Sequence, residues 1–421
     1  MILGLKVDDE TGGRLRGEET GLANPYRELL AVPGARTFVA AGFVGRMSMS
    51  MVGIAIVLLV SAVTGSYGIA GAVSATLSLA YAAGAPLSAR LADRYGQRRI
   101  LIPLALANAS SFATLIIFTL LRLPTWTLFP MAALAGLTQP SLGAWVRARW
   151  KYALRDGPAR LHTAFSFESV VDETIFVCGP MIVTAVATGV HPAAGLAVAA
   201  ACTLAGCLAL AAQRGTEPPP VPPVAGGSAS VLRNPAVLIM APVFLMLGAV
   251  FGAIDVSGIA FAEEKGHKAL AGLLLGCYAL GSGSAALWYG ARHWRSPLDR
   301  RFRIGLILLA AGLVPPLLIT NLYLMMFVVF FSGLAISPTI IPGYGLVEQS
   351  VPGHQLTEGL ALVSTTVGLG VALGASSAGR VVDLYGARAA FLLPLGAALI
   401  AAAIGLAGTR KISKHELSSR Q

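Results

Sequence analysis

The stretch LHTAFSFESVVDETIFVCGPMIVTAVAT, residues 161–188, has the length and apolar content of a membrane-spanning helix, yet it contains three carboxylates. About 20 apolar residues rising 1.5 Å each cross the hydrocarbon core of a bilayer. A carboxylate at the bilayer centre costs about 2.5–3.5 kcal/mol on insertion scales, so Glu168, Asp172 and Glu173 predict a polar path or an ion-pair network inside a helix bundle. Glu168 and Asp172 share one helix face, whereas Glu173 points about 100° away from Asp172.

The rest of the chain is equally apolar. Of its 421 residues, 55% are hydrophobic and 12% are charged, and the mean hydropathy is +0.72. Soluble domains average about 25% charged residues, so this composition predicts a polytopic membrane protein. All four cysteines fall in apolar stretches, so neither a disulfide framework nor a metal site is expected. The sequence contains no phosphate-binding loop and no nucleophile with a base, so neither an enzyme nor a cofactor is expected.

Twelve apolar stretches, which we call spans 1–12, divide into two groups of six. The segment QRGTEPPPVPPVAGGSAS, residues 213–230, separates the groups and has the composition of an extended linker. The spans are predicted near residues 37–63, 69–91, 100–121, 125–146, 161–188 and 193–212, and then near 235–261, 269–291, 304–320, 322–345, 356–378 and 389–407. The predicted organisation is an N-terminal tail at 1–34, a first half at 35–212, a linker at 213–234, a second half at 235–408 and a C-terminal tail at 409–421.

The basic residues indicate which way the bundle is oriented. Most of the 31 lysines and arginines lie in the two termini, the linker and every second loop. The positive-inside rule therefore places both termini and the linker in the cytoplasm. The net charge of +11 is explained by this topology and does not indicate a nucleic-acid partner.

An internal repeat supports the division into halves. Residues 161–179 align without gaps with residues 356–374. The three acidic positions of span 5 are not repeated, because their counterparts are Val363, Val367 and Gly368. This asymmetry predicts that the chemistry of the polar interior belongs to the first half, while the second half shapes the cavity.

The loop between spans 2 and 3 reads ARLADRYGQRRIL, residues 89–101. A glycine permits a tight turn, and an aspartate can pair with arginines or with a helix N-terminus across an interface. We therefore interpret Asp93, Arg94, Gly96 and Arg98 as a conformational latch. The alternative is a basic loop that only sets the topology.

This loop resembles the signature G-x-L-A-D-R-x-G-R-R-x-x-L of the major facilitator superfamily, from which it departs at Ala89 and Gln97. The resemblance implies an all-α integral membrane fold, with twelve helices in two pseudo-symmetric halves around a midplane cavity. It also implies secondary transport by alternating access, and a carrier that works as a monomer.

Two further stretches bear on this resemblance. RVVDLYGAR, residues 380–388 between spans 11 and 12, contains the same D-x-x-G-x-R core. In span 5, Gly179 and Pro180 resemble the centre of a Gly-Pro-rich pattern that proton-coupled exporters of the superfamily carry there. The later glycines of that pattern are missing, as is the arginine that such exporters tend to carry in span 4. The resemblance to exporters is therefore partial.

A basic residue in span 1 lies at the depth of the acidic cluster. Arg46 is about 15 Å from the inner surface, as is Asp172, so we expect Arg46 to pair with Asp172 or Glu173. Three carboxylates facing one guanidinium leave an excess of negative charge, and a carboxyl group buried without a full partner binds a proton more readily. Glu168, Asp172 and Glu173, with Arg46 as charge partner, are therefore the proton-coupling candidates. A static ion-pair network or direct contact with the substrate are the alternatives.

Two polar residues are candidates for the substrate cavity. Gln139, next to Pro140 in span 4, suits either a hydrogen bond to a substrate or helix-to-helix packing. Asp255 in span 7 lies about 30 Å from the inner end, where an interfacial or capping role is expected more than a substrate contact. Pro338 and Pro342 predict a kink or break in span 10.

These patterns predict a carrier in a bacterial cytoplasmic membrane that exports a small organic compound, a drug or a metabolite, in exchange for protons. Its partners are expected to be that substrate, protons and the lipid bilayer. One alternative is uptake of a sugar or another nutrient by symport or uniport. Another is a sensor that keeps the fold without transporting.

Overall fold

The computed structural model describes residues 23–155, 159–220, 234–290, 292, 294–351 and 356–418. Most of the predicted N-terminal tail and linker, and the last three residues of the predicted C-terminal tail, lie outside these ranges. All regular secondary structure within the ranges is helical.

Twelve spans in two groups of six form the bundle, preceded by a short helix, Ala23–Leu30. Spans 1–6 are Ala35–Thr64, Tyr67–Tyr95, Gln97–Leu120, Leu128–Thr138 with Leu142–Ala153, Ala159–Gly189 and Pro192–Ala212. Spans 7–12 are Pro235–Glu264, Ala271–Gly290, Leu298–Gly312, Leu322–Gly333 with Ile336–Ser350, Leu356–Tyr385, and Ala387–Ala390 with Leu392–Ser418.

Ten of these spans are long and apolar enough to cross a membrane, judged by length and composition in the described ranges. The exceptions are spans 4 and 9. Span 9 is a helix of 15 residues followed by a 3-10 turn, Pro315–Leu317. Span 4 is broken into two helices of 11 and 12 residues.

Proline explains the breaks in spans 4 and 10. Gln139 precedes Pro140 and has the extended backbone, φ −67° and ψ 118°, that a following proline favours. In span 10 the break falls at Leu334 and Ala335, just before Pro338, whose nitrogen cannot donate to the carbonyl four residues earlier. Pro342 is accommodated inside the second helix of span 10.

The two halves touch along spans 2 and 11 and along spans 5 and 8. We call the end of the bundle that carries the loop between spans 2 and 3 the inner end, and the opposite end the outer end. Gly71 packs against the carbonyl of Ala375, and Gly272 against the carbonyl of Pro180, so neither position has room for a Cβ atom. Both contacts lie in the outer part of the bundle, where the halves therefore meet closely.

Candidate functional site

The buried centre of the site is the guanidinium of Arg46, which is 2% exposed. Its Nη2 donates to Glu168 Oε2 at 2.5 Å, its Nη1 donates to Asp172 Oδ1 at 2.8 Å, and its Nε donates to the carbonyl of Gly42 at 3.1 Å. Glu168 also accepts a hydrogen bond of 2.8 Å from Trp150 Nε1. Burying charges is costly unless they are paired and hydrogen-bonded, and here every guanidinium nitrogen has an acceptor.

A second arginine completes this cluster. Arg147 Nη2 donates to the other oxygen of Asp172 at 2.8 Å, and these two side chains are 34% and 23% exposed. Arg46, Arg147, Glu168 and Asp172, which we call the paired cluster, therefore carry no net charge. Gly143, just after the break in span 4, leaves space for both arginines, since a Cβ there would lie 3.2 Å from Arg147 Nη1.

Glu173 is adjacent to the paired cluster but does not join it. Its side chain is half-buried and faces the second half, where its Oε2 would lie 3.1 Å from a Cβ built on Gly283 of span 8. It forms no hydrogen bond or ion pair with another described residue. The expected pairing of Arg46 is thus found with Asp172 and not with Glu173, because the 100° offset turns Glu173 away and Glu168 takes its place.

The negative charge of the site therefore differs from the expectation. Three carboxylates were expected to face one guanidinium, but Arg147 neutralises one of them. The excess charge falls on Glu173 alone. Sequence reasoning assigned Arg147 to the inner loop, because span 4 was expected to end at residue 146, whereas its second helix continues to Ala153.

Gln139 is engaged within the first half. Its Nε2 donates to Ser48 Oγ at 3.2 Å, and its Oε1 accepts from Asn108 Nδ2 at 2.9 Å. Asn108, in the middle of span 3, also donates to the carbonyl of Ala135 at 2.8 Å. These contacts join spans 1, 3 and 4 next to the break in span 4 and favour the packing interpretation of Gln139. Sequence reasoning missed Asn108, although an amide in the middle of an apolar span is a recognisable signal.

Asp255 lies deeper than an interfacial residue. It precedes the end of span 7 at Glu264 by nine residues, which corresponds to about 14 Å of helix. It is half-buried and makes neither a capping contact nor an ion pair with a described residue. In span 8, the Tyr278 hydroxyl is also buried with no hydrogen-bond partner among the described residues.

Among the residues that the structure describes, the loop between spans 2 and 3 makes no hydrogen bond or ion pair with the second half. Asp93 and Arg94 are exposed, and Asp93 forms no hydrogen bond or ion pair with a described residue. Gly96, at φ +91°, separates the two spans, and the backbone nitrogen of Arg98 donates to Glu217 at 2.9 Å. A partner for a latch in this loop is therefore not found among the described residues of the second half.

The loop between spans 2 and 3 departs from the superfamily signature at Gln97, and its hydrogen bonds explain why. Gln97 Oε1 accepts a hydrogen bond of 2.9 Å from Arg149 Nε, and Gln97 Nε2 donates to the carbonyl of Trp145 at 3.2 Å. Arg149 is fully buried and also donates to Thr216 at 2.8 Å. A basic residue at position 97 could not accept the hydrogen bond from Arg149.

Gly179 and Pro180 lie where spans 1, 5 and 8 meet. A Cβ on Gly179 would collide with Ser50 Oγ, which donates to the carbonyl of Ile175 at 2.9 Å. The carbonyl of Pro180 faces Gly272 on the other side. The pair therefore allows span 5 to contact one helix of its own half and one of the other half.

The accessibility of the site follows from the closed outer end. The partly exposed Arg147 and Asp172 lie at mid-depth, and the outer ends of the halves pack against each other. Between residues that the structure describes, no hydrogen bond or ion pair joins the halves at the inner end. We interpret this asymmetry, together with the partial exposure of Arg147 and Asp172, as an interior that opens toward the inner end.

Two six-helix halves around a polar interior that opens to one side are the architecture of a secondary transporter. The sequence model of the Major Facilitator Superfamily matches residues 38–295 and 256–420, and the chain belongs to this superfamily. No curated protein sequence matches the chain.

Solved structures share the fold at low sequence identity. The nucleoside transporter NupG matches with a TM-score of 0.71 and 15% identity over 89% of this chain and 99% of that chain. The peptide transporter POT in complex with sulfate matches with a TM-score of 0.68 and 18% identity over 92% and 98%. A bacterial metal transporter matches with a TM-score of 0.63 and 16% identity over 90% and 99%. Their different cargoes show that the fold alone does not define the substrate.

Proposed function

We propose that this protein exports a small organic compound in exchange for protons, and that Glu173 is the proton site. The observation that supports this is the contrast between the paired cluster and Glu173. Glu168 and Asp172 each bind at least one arginine, so a proton on either would break an ion pair. Glu173 has no such partner among the described residues and can change its protonation state at a lower cost.

The position of Glu173 also suits coupling. It belongs to the first half but faces Gly283 in the second half, so its surroundings change when the halves rock against each other. A carboxylate that is desolvated in one conformation and exposed in the other binds and releases a proton during the cycle. The remaining charges stay together within the first half and serve as its fixed core.

The direction of transport rests on the resemblance of Gly179 and Pro180 to the pattern in exporters. The inner end is assigned to the cytoplasm by the positive-inside rule, so the conformation described here is open to the cytoplasm. An exporter collects its substrate in that conformation.

The experiment uses inside-out membrane vesicles with an imposed proton gradient and a panel of cationic, neutral and sugar-like compounds. We expect a member of the panel to dissipate the gradient in vesicles with the wild-type protein. Glu173→Gln should abolish this dissipation while retaining exchange of labelled for unlabelled substrate, because exchange does not require a change of protonation. Glu348→Gln, an exposed glutamate at the inner end of span 10, is the matched control and should behave as the wild type does.

Three outcomes would contradict parts of the proposal. Dissipation by Glu173→Gln at the wild-type rate would exclude Glu173 as the proton site. Loss of both dissipation and exchange in that variant would indicate a substrate contact. Accumulation of substrate together with protons in right-side-out vesicles would establish uptake and exclude export.

A further inference from the structure

The D-x-x-G-x-R core occurs at both ends of the molecule. At the inner end it joins spans 2 and 3, and at the outer end it joins spans 11 and 12. The glycines of the two copies, Gly96 and Gly386, have similar backbone angles, φ +91° and φ +82°, and each separates two helices. The aspartates Asp93 and Asp383 therefore occupy equivalent positions, two residues before the end of spans 2 and 11.

The outer copy contacts the opposite half. Asp383 Oδ1 accepts from the backbone nitrogen of Tyr67, and Asp383 Oδ2 accepts from the backbone nitrogen of Gly68, both at 2.7 Å. Ser66 Oγ donates to the same carboxylate at 2.6 Å. Tyr67 and Gly68 are the first two residues of span 2, whose backbone donors have no partner inside the helix. Asp383 thus caps span 2 from the other half, where the helix dipole also favours a negative charge.

A second contact lies beside the first. The hydroxyl of Tyr67 donates to Glu263 of span 7, which also accepts from Lys268 at 2.9 Å. Between residues that the structure describes, the hydrogen bonds that join the two halves are those that Asp383 and Glu263 make with Ser66, Tyr67 and Gly68. The N-terminus of span 2 is therefore the place where polar contacts hold the outer end closed.

The inner copy of the D-x-x-G-x-R core lies at the opposite end of the same two helices. Span 11 begins at Leu356 at the inner end, as span 2 begins at the outer end, and the two spans are antiparallel. Asp93 of span 2 is exposed and has no partner among the described residues. The same pair of helices thus carries an aspartate with partners in the other half at the outer end, and an aspartate without a described partner at the inner end.

We propose that Asp383 is the outer latch of the transport cycle. It holds the inward-open conformation by capping span 2, and it must release span 2 before the outer end can open. This inference requires alternating access but not the proton site proposed above.

The alternative is a cap that stabilises span 2 equally in every conformation. Two variants distinguish a latch from such a cap. Asp383→Asn removes the charge from the second half. Gly68→Ala acts from the first half, because its methyl group would lie 2.8 Å from Asp383 Oδ2 while alanine favours helix over glycine.

The test measures distances between spin labels in a protein whose four native cysteines are replaced by alanine. Labels at Val190→Cys and Leu318→Cys, both strongly exposed, report on the outer end. Labels at Lys151→Cys and Glu348→Cys, both exposed, report on the inner end. In the parent protein the outer pair should be close and the inner pair far apart in most molecules.

We expect Asp383→Asn and Gly68→Ala each to raise the ratio of outward-open to inward-open molecules by about tenfold, since hydrogen bonds to a charged group are lost in one conformation only. Asp93→Asn should not raise this ratio. Asp299→Asn is the control, because Asp299 pairs at 2.7 Å with Arg303 inside the second half, and it should leave both distances unchanged.

Unchanged distances in both Asp383→Asn and Gly68→Ala, with a lower unfolding temperature in the first, would overturn the latch and establish a static cap. If Asp383→Asn does not fold, Gly68→Ala alone decides between the two. These distances are measured without substrate and without a proton gradient, so they do not depend on whether Glu173 is the proton site.

Discussion

Spans 5 and 11 are related by the internal repeat, yet they pack on their neighbours in different ways. Span 5 meets span 1 through the guanidinium of Arg46 and its two carboxylate partners. Span 11 meets span 7 through the backbone, because the carbonyls of Val367 and Val371 lie directly against Gly248 and Gly252. The second half shows that this helix of the repeat can pack without charges. The charges in the first half are therefore better explained by function than by folding.

The energetics support the same conclusion. Replacing a buried ion pair with well-packed apolar residues is often neutral or stabilising. The second half makes that replacement at the counterpart of Glu168, where Val363 is fully buried. We therefore expect that the charged core of the first half brings no stability that an apolar core would lack. What it adds is a fixed electrostatic environment for Glu173.

The largest expected effect comes from breaking the paired cluster. Arg46→Met leaves Glu168 buried without its guanidinium and Asp172 with Arg147 alone. Removing one partner of a buried ion pair costs about 3–5 kcal/mol, and we expect a loss of that size in the free energy of unfolding. Unfolding of the detergent-solubilised protein by SDS measures it.

The double variant Arg46→Met with Glu168→Met serves as the control for this experiment. It removes both charges and brings the first half closer to the apolar packing of the second. We expect it to recover most of the lost stability. A double variant as unstable as Arg46→Met would mean that the charges are needed for folding. The difference between the halves would then not indicate a functional role for these charges.

Hydropathy predicted the twelve spans because backbone groups inside a bilayer must be satisfied within a helix, which leaves few alternatives for long apolar stretches. Helix ends and breaks were less predictable. The break in span 4 and its continuation to Ala153 depend on contacts of that segment inside the bundle. Pro140 was a local signal for the break. The arginines at the end of span 4, however, are equally compatible with a loop on the inner side.

The sequence predicted those features of the site that depend on the depth of a residue in the membrane and on its position around the helix. Equal depth identified Arg46 and Asp172 as partners, and the phase of span 5 separated Glu173 from Asp172. The roles of Arg147 and Asn108 were not predictable in this way. Both depend on how span 4 bends toward spans 1 and 3, which is a property of tertiary packing and not of spacing along one helix.

A smaller effect is expected from disturbing the glycine contacts of the second half. A Cβ on Gly370 would collide with the carbonyl of Leu245 in span 7, so Gly370→Ala must push spans 7 and 11 apart. We expect a cost of about 1–3 kcal/mol in the free energy of unfolding, as for other overpacked cores.

Gly396→Ala is the matched control for Gly370→Ala, because no atom lies within 4 Å of a Cβ at that position. Alanine there should be neutral or should stabilise span 12 by up to about 1 kcal/mol. Equal effects of the two substitutions would mean that the backbone contact between spans 7 and 11 does not limit the stability of the second half.

The smallest effect on stability is expected at the residue with the largest expected effect on coupling. Glu173→Gln removes a charge that has no partner among the described residues, and the amide occupies the same space beside Gly283. We expect the free energy of unfolding to change by less than about 0.5 kcal/mol, as for substitutions away from any packing or pairing feature. The same unfolding experiment in SDS measures this change. A loss of several kcal/mol would mean that Glu173 belongs to the structural core, and the first half would then contain one charged network instead of a fixed cluster beside a free acid.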